Sequence, residues 1–211
     1  MEVSLKEHRS RVWSIQVSKD SHVAVSASSD GSCILWDLRK HCRLLCMFET
    51  TAFKQALLNS EEYQVLTVGS DRKITYWEKH DGQIIRSIEG SEKELNSLDI
   101  TAEGKHFISG GQDGVLRIWN YDEGLCYYSG EGHSGSICKL KISPDQRKVV
   151  TVGSEGAIFV WDMPESVAKD KVEVELPTLS KQEKEEKSVK GSVKSSVKSS
   201  VKGSVKGSVK K

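Results

Sequence analysis

Three residues near the start of the chain are of types that could do hydrolytic chemistry. His8, Ser26 and Asp30 are the residue types of a Ser-His-Asp triad, in which an imidazole takes the serine proton and a carboxylate orients the imidazole. A second set of similar residues follows further along the chain: His133, Thr151 and Glu155. Because a triad is recognised by geometry and roles and not by composition, the spacing of these residues must be considered first.

That spacing is periodic. Four segments combine a tight turn, a short apolar strand and a closing tryptophan: "SDGSCILWD", "SDRKITYWE", "QDGVLRIWN" and "SEGAIFVWD". The closing residues are Trp36, Trp77, Trp119 and Trp161, so the steps are 41, 42 and 42 residues. A repeat of roughly 40–45 residues with a Trp-Asp end is typical of a β-propeller blade.

The residues of the two apparent triads recur at fixed distances from the tryptophans. The hydroxyl residues ten positions earlier are Ser26, Thr67, Ser109 and Thr151, and the acids six positions earlier are Asp30, Asp71, Asp113 and Glu155. The place 28 positions earlier holds His8 and His133 in the outer repeats, and Glu49 and Ser91 in the middle ones. A buried indole N–H needs an acceptor, and a hydroxyl can both accept and donate. The pattern therefore favours a structural network within each blade over catalysis, and we expect the two blades without histidine to be looser or satisfied by water.

The sequence predicts an all-β fold of four WD-type propeller blades, forming part of a larger ring. In the first repeat, short runs of alternating and β-branched residues predict strands at about residues 12–17, 22–26, 32–36 and 43–48. The predicted blades cover about residues 5–37, 38–78, 79–120 and 121–163. Residues 1–5 could supply a strand that closes a small ring on the fourth blade. The favoured alternative is that these blades are the C-terminal piece of a longer propeller, completed by further blades of the same or another chain.

One turn departs from the repeat. Gly31, Gly114 and Gly156 follow the acid in three repeats, but Arg72 follows it in the second. Glycine supplies positive φ at such a position, so we expect Arg72 to be strained or its turn to be of another type. Arg72 and Lys73 would then project from the propeller rim as candidates for contact with a partner, the alternative being a solvated pair of charges.

The composition excludes several classes of protein. No apolar run of about 18 residues exists, which argues against a membrane-spanning helix, and no phosphate-binding glycine loop is present. The five cysteines form no C-x-x-C pair and predict reduced, mostly buried thiols, with no metal site or cofactor. Residues 187–211 hold eight lysines and no acid, so the rest of the chain carries 23 basic and 30 acidic residues.

The C-terminal segment has a different composition from the repeats. Residues 164–187 read as a charged linker with a possible strand at 172–176, and residues 188–211 are six Ser-Val-Lys-x tetrapeptides. Such low complexity predicts disorder. The lysines could dock on an acidic surface, or the repeat could only aid solubility, and the lack of interleaved aromatic residues disfavours nucleic acid. These candidate contact residues are Lys190, Lys194, Lys198, Lys202, Lys206 and Lys210.

Four stretches carry a resemblance to a particular family: residues 6–20 ("KEHRSRVWSIQVSKD"), 69–91, 98–124 and 132–161. They resemble the C-terminal four repeats of the cilia- and flagella-associated protein 52 family, also called WD repeat-containing protein 16. The specific parts are the Asp71-Arg72-Lys73 turn, Tyr76-Trp77 and the order of the repeats. The Ser-Val-Lys segment has no counterpart in the family pattern.

The resemblance implies a function as well as a fold. It implies a non-catalytic structural protein in the cytoskeleton of the cilium or flagellum, inside the B-tubule of axonemal doublets near the inner junction. The implied partners are tubulin and other axonemal microtubule inner proteins, and the implied role is support of ciliary beating. A general WD-repeat adaptor, in signalling or ubiquitin ligase assembly, is the alternative.

Overall fold

Residues 3–168 are the part of the chain that the computed structural model describes, and they form fifteen β-strands and one short helix. The strands are five to seven residues long, which is typical of propeller blades, and tight turns connect many of them. Their bounds are β1 Val12–Val17, β2 Val23–Ser28, β3 Ser32–Asp37, β4 Cys42–Phe48, β5 Phe53–Leu58, β6 Gln64–Gly69, β7 Lys73–Glu78, β8 Ile84–Glu89, β9 Leu95–Ile100, β10 His106–Gly111, β11 Leu116–Asn120, β12 Cys126–Gly130, β13 Ile137–Ile142, β14 Lys148–Gly153 and β15 Ile158–Asp162, followed by α1 Glu165–Ala168.

The strands form four antiparallel sheets, each a simple up-and-down run in chain order. Blade 1 is β1–β4, blade 2 is β5–β8, blade 3 is β9–β12, and blade 4 is β13–β15 within the described residues. Each strand pairs with its chain neighbour, so short hairpin turns are enough to connect them. The predicted all-β fold with four propeller blades is confirmed.

The strand bounds in blade 1 differ from the predicted ones by two residues at most. The largest difference is at β2, which continues to Ser28 where the prediction ended at Ser26. The extension forms because Ala27 pairs with Cys33 on β3 and Ser28 pairs with Val12 on β1. Pairing on both sides therefore decided the end of this strand.

The blades bury apolar side chains between one sheet and the next. We call the face of each sheet that carries the repeat tryptophan its front face, and the opposite face its back face. Leu35 and Met47 on the back face of blade 1 pack in one cluster with Phe53 and Trp77 on the front face of blade 2. Similar clusters join blade 2 to blade 3 and blade 3 to blade 4. Each large side chain buried in this way contributes about 1.5–3 kcal/mol.

Two faces of the array have no described neighbour. On the front face of blade 1, Val12, Ile15 and Val17 are 47%, 68% and 49% exposed. On the back face of blade 4, Ile158 and Val160 are 69% and 61% exposed. Residues 3–5 form no strand, so a small ring closed by this segment is not formed in the described part of the chain.

The expectation of mostly buried cysteines is wrong. Cys33 is buried on β3, and burial raises the pKa of its thiol. Cys42, Cys46, Cys126 and Cys138 are exposed. Three of these four lie on β4 or β12, the outermost strands of their sheets, where fewer neighbouring strands cover a side chain.

Helix α1 lies at the start of the predicted linker. It is four residues long, and no helix among the described residues is long and apolar enough to cross a membrane. The possible strand at residues 172–176, the predicted disorder of residues 188–211 and the six candidate lysines of that segment all lie outside the described residues.

Candidate functional site

The residues of the first apparent triad meet beside the tryptophan of blade 1. His8 Nε2 lies 2.6 Å from Ser26 Oγ, and His8 Nδ1 lies 3.3 Å from Asp30 Oδ2. The Trp36 indole donates to Ser26 Oγ at 2.8 Å. With the proton on Nδ1 facing Asp30, the Ser26 hydroxyl donates to Nε2 and accepts from the indole. All four predicted residues of the blade therefore lie in one chain of hydrogen bonds.

This arrangement does not suit nucleophilic chemistry. Ser26 is only 3% exposed, and its hydroxyl is held by both an indole and an imidazole. Burial favours the neutral form of Asp30, but hydrogen bonds from the Ser32 hydroxyl and from the amides of Arg9 and Ser32 outweigh it and hold the Asp30 pKa well below its ordinary value. The group is thus a fully bonded structural network, as a buried polar cluster must be to be stable.

Blade 4 repeats the arrangement with longer and bulkier residues. His133 Nε2 lies 2.7 Å from Thr151 Oγ1, which accepts from the Trp161 indole at 2.8 Å. His133 Nδ1 contacts the Glu155 carboxylate, and this hydrogen bond lowers the Glu155 pKa. Glutamate therefore reaches the imidazole in spite of its extra methylene.

Blade 3 replaces the missing histidine with other side chains. The Trp119 indole donates to Ser109 Oγ at 2.8 Å, as in the outer blades. Asp113 accepts from the Ser91 hydroxyl at 2.7 Å and from Arg117 Nη1 at 2.5 Å. Ser91 thus occupies the histidine position both in the sequence and in the contact it makes.

Blade 2 also keeps the bond between indole and hydroxyl, with Trp77 donating to Thr67 Oγ1 at 2.8 Å. Its acid, Asp71, has no imidazole partner, and burial raises the Asp71 pKa. Trp77 and Trp119 are nevertheless only 2% and 6% exposed. Looser packing, one of the two alternatives expected for the middle blades, is therefore not seen, because neighbouring blades cover both of their faces.

Of the two alternatives expected for the basic turn of blade 2, a strained Arg72 or a turn of another type, the structure has the first. Arg72 has φ of 67°, while the glycines at the same position have φ of 84° (Gly31), 75° (Gly114) and 83° (Gly156). A residue with a side chain in this region costs about 1–2 kcal/mol relative to the right-handed form. Arg72 contacts the Glu92 carbonyl at 3.5 Å, and Lys73 lies 4.0 Å from Glu89. Both side chains are exposed at the surface, where a partner could reach them.

A second group of cations, the exposed Arg11 and the half-buried Lys54, was not predicted. Trp13, the one tryptophan outside the 42-residue period, is 37% exposed near the start of β1. The Arg11 guanidinium carbon lies 4.9 Å from the centroid of its ring, and Lys54 Nζ lies 4.2 Å from the same centroid. We call Arg11, Trp13 and Lys54 the basic aromatic patch. Its signal in the sequence was the unexplained fifth tryptophan, but Lys54 is 41 residues away on β5.

The first strands of the four blades, β1, β5, β9 and β13, lie next to one another, and a small pocket lies at the ends of these strands away from the basic aromatic patch. It has a volume of about 170 Å³ and is lined by residues of all four blades, including Gln16, Leu58 and Asp99. Its charged groups all have polar partners: Lys141 Nζ lies 2.6 Å from Asp99 Oδ1, Glu62 accepts from the Lys19 backbone amide, and Lys19 Nζ donates to the Ser60 carbonyl at 2.7 Å. No group of three His, Cys, Asp or Glu residues within residues 3–168 is arranged to hold a metal ion.

Comparison with known families identifies the repeats. The family model for "WD domain, G-beta repeat" matches residues 2–37, 82–120 and 124–162, which together are more than half of the chain. The structure is similar to that of the computationally designed Ika4 protein, with a TM-score of 0.65 over 76% of this chain and 96% of that one. At 22% identity, that likeness shows the fold alone.

Curated relatives match a shorter stretch more closely. Cilia- and flagella-associated protein 52 is 46% identical over 111 residues in Mus musculus, 45% in Homo sapiens and 44% in Chlamydomonas reinhardtii. The match covers 52% of this chain but only 18% of each of these relatives. The resemblance noted from the sequence is thereby confirmed.

Proposed function

Because the chain belongs to the WD domain, G-beta repeat family, we propose that it acts as a non-catalytic structural protein of cilia and flagella. The observation that carries the proposal is the 44–46% identity to proteins named as cilia- and flagella-associated, in organisms as distant as mouse and Chlamydomonas. Within that role we propose a place inside the B-tubule of the axonemal doublet near the inner junction, where the protein would stabilise the tubule wall.

The geometry supports a role without catalysis. The residues that resemble a triad lie beside Trp36 and Trp161 and are bonded to each other, and the hydroxyl residues among them, Ser26 and Thr151, are buried. Such a network rigidifies a blade and holds the Ser26 and Thr151 hydroxyls in hydrogen bonds to an imidazole and an indole. What the blades offer instead is exposed faces and turns, which is how propellers bind other proteins.

Two kinds of surface are available for partners. The apolar front face of blade 1 and the apolar back face of blade 4 suit further propeller blades, from the same or another chain, because every other interface in the array joins such faces. Arg72 and Lys73 are charged contacts suited to tubulin or to neighbouring microtubule inner proteins, and the lysines of residues 188–211 suit an acidic surface.

Fractionation of cilia tests this proposal. We expect an antibody against residues 188–211 to detect the protein in the axoneme after the ciliary membrane has been removed with detergent. A tagged chain carrying Gln in place of the six candidate lysines (Lys190, Lys194, Lys198, Lys202, Lys206 and Lys210) is the matched variant for the role of the tail. Quantitative recovery of the protein in the detergent-soluble fraction would contradict the proposal and favour a general WD-repeat adaptor.

A further inference from the structure

The basic aromatic patch holds two positive charges that no carboxylate balances. Arg11 and Lys54 both lie over the ring of Trp13, and neither has an acidic partner within 4.0 Å among residues 3–168. Several other exposed cations of the described chain do have such partners, as Arg43 does with Glu7 at 2.7 Å and Lys148 with Asp162 at 2.5 Å. The patch is therefore a local excess of positive charge.

The two cations are also close enough to repel each other. The Arg11 guanidinium carbon lies 4.9 Å and Lys54 Nζ lies 4.2 Å from the centroid of the Trp13 ring, and the distance between the two cations cannot exceed the sum of these distances. That separation is comparable with the Debye length of about 8 Å at physiological ionic strength, so salt screens their repulsion only in part. The attraction of each cation to the ring offsets some of this cost. An anion bound near Arg11 and Lys54 would remove the rest of their mutual repulsion.

The scaffold holds the patch in place. The Trp13 indole N–H donates to Ser29 Oγ, and the Arg11 carbonyl accepts from the Ser29 amide at 3.0 Å. Trp13 lies on β1, the first strand of blade 1, and Lys54 lies on β5, the first strand of blade 2. The ring thus leans toward blade 2 and away from the open front face of blade 1. An incoming ligand finds the cations already positioned, which lowers the entropy cost of binding.

The charges select the kind of ligand. Because the cations cover the ring of Trp13, it is not free to stack on a nucleic acid base. Outside residues 187–211 the chain carries 23 basic and 30 acidic residues, so an extended polyanion would meet repulsion beyond the patch. A short peptide with a few carboxylates needs only the local excess of positive charge.

We propose that Arg11, Trp13 and Lys54 form a binding site for an acidic peptide segment of a partner protein. Side-chain carboxylates of the peptide accept hydrogen bonds from the Arg11 guanidinium and the Lys54 ammonium, and such charge-assisted bonds are stronger than neutral ones. The inference does not depend on the proposed ciliary role, since its test uses isolated components.

The indole N–H resonances of the full chain give a readout that is specific for this site. The probe is a fluorescent peptide of alternating glutamate and glycine. We expect the Trp13 signal, identified by its loss in Trp13→Phe, to shift on titration. The other four indoles donate to the buried hydroxyls of Ser26, Thr67, Ser109 and Thr151, so their signals should stay fixed and also report an intact fold.

Paired variants separate the patch from general charge. Arg11→Gln with Lys54→Gln should weaken peptide binding roughly two- to thirtyfold, given about 0.2–1 kcal/mol for each of the two ion pairs. Lys40→Gln with Lys148→Gln removes the same charge elsewhere and should change it less than about twofold. Equal losses in both pairs, or a fixed Trp13 signal, would overturn the proposal. So would a shift at lower concentration with an oligothymidylate of the same net charge.

Discussion

Equivalent positions in the first two blades differ in burial although the hydrogen bond of the repeat tryptophan is the same in both. On the front face of blade 1, Val12 and Ile15 are 47% and 68% exposed, whereas Phe53 and Ala56 at the same positions of blade 2 are both 1% exposed. Yet the repeat tryptophan donates to its hydroxyl partner at 2.8 Å in both blades. The network inside a blade forms within one sheet, whereas the burial of a blade depends on its neighbour.

The two middle blades also show that the burial of a blade does not depend on its internal hydrogen-bond network. They lack the histidine, but both their faces are covered, and Tyr76 of blade 2 is fully buried against blade 3. Arg86 lies over the Tyr76 ring at 4.2 Å, and the Tyr76 hydroxyl donates to the Tyr121 carbonyl at 3.1 Å. Contacts between blades thus stabilise the middle blades, where the histidine is absent.

The largest predicted effect is on the free energy of unfolding, when the repeat tryptophan of a middle blade or of an outer blade is replaced by alanine. Trp77→Ala should lower the free energy of unfolding by about 3–5 kcal/mol, since it opens a cavity in a core shared by two blades and leaves Thr67 without its donor. Trp161→Ala should cost less, by at least about 1 kcal/mol, because Trp161 is only partly buried. Urea unfolding measures both, and equal losses would show that burial between blades does not decide the difference.

A smaller effect concerns the turn of blade 2. Gly156→Arg should destabilise blade 4 by about 1 kcal/mol, since it places a side chain at positive φ where no neighbouring atom lies within 4 Å to clash with it. Arg72→Gly should be stabilising by about 0.5 kcal/mol, since relief of strain exceeds the added flexibility of the unfolded chain. Thermal unfolding of the two variants should therefore shift in opposite directions. Destabilisation by Arg72→Gly would mean that the arginine makes a contact worth more than its strain.

The smallest effect is in the dependence of stability on pH. The Asp30 pKa is lowered in the folded protein, so its stabilising contribution is full above the ordinary pKa of about 3.9 and is lost as the pH falls toward the folded value. The Asp71 pKa is raised, so its ionisation costs stability above the folded value, and the cost disappears as the pH falls to about 3.9.

Asparagine variants test whether ionised Asp30 stabilises the fold and ionised Asp71 destabilises it. At pH 7, Asp30→Asn should lower the free energy of unfolding and Asp71→Asn should leave it equal or higher. Both differences from the parent chain should shrink on acidification. Urea titrations at several pH values measure them, and a loss of stability in Asp71→Asn at pH 7 would show that this carboxylate is needed in its charged form.

Local pattern alone was enough for much of the fold. The hydroxyl ten residues before each tryptophan and the replacement of glycine by Arg72 were readable because each lies within one hairpin. The period of the tryptophans was readable because the whole blade repeats. The sequence showed that Ser91 stands at the histidine position of blade 3, but it did not show that Arg117 also donates to Asp113. The basic aromatic patch was also missed, because Trp13 and Lys54 meet only through the packing of adjacent blades.

The sequence by itself determined that this chain forms short antiparallel strands in four WD-type blades, since that information lies in turns and in alternation over a few residues. Only the tertiary structure decided which faces are buried, which cysteines are exposed and which cations share a ring. The buried faces and the shared ring depend on pairs of residues about 42 positions apart, whose contact is set by how one blade packs against the next. The exposure of most of the cysteines depends on which strand is outermost in its sheet.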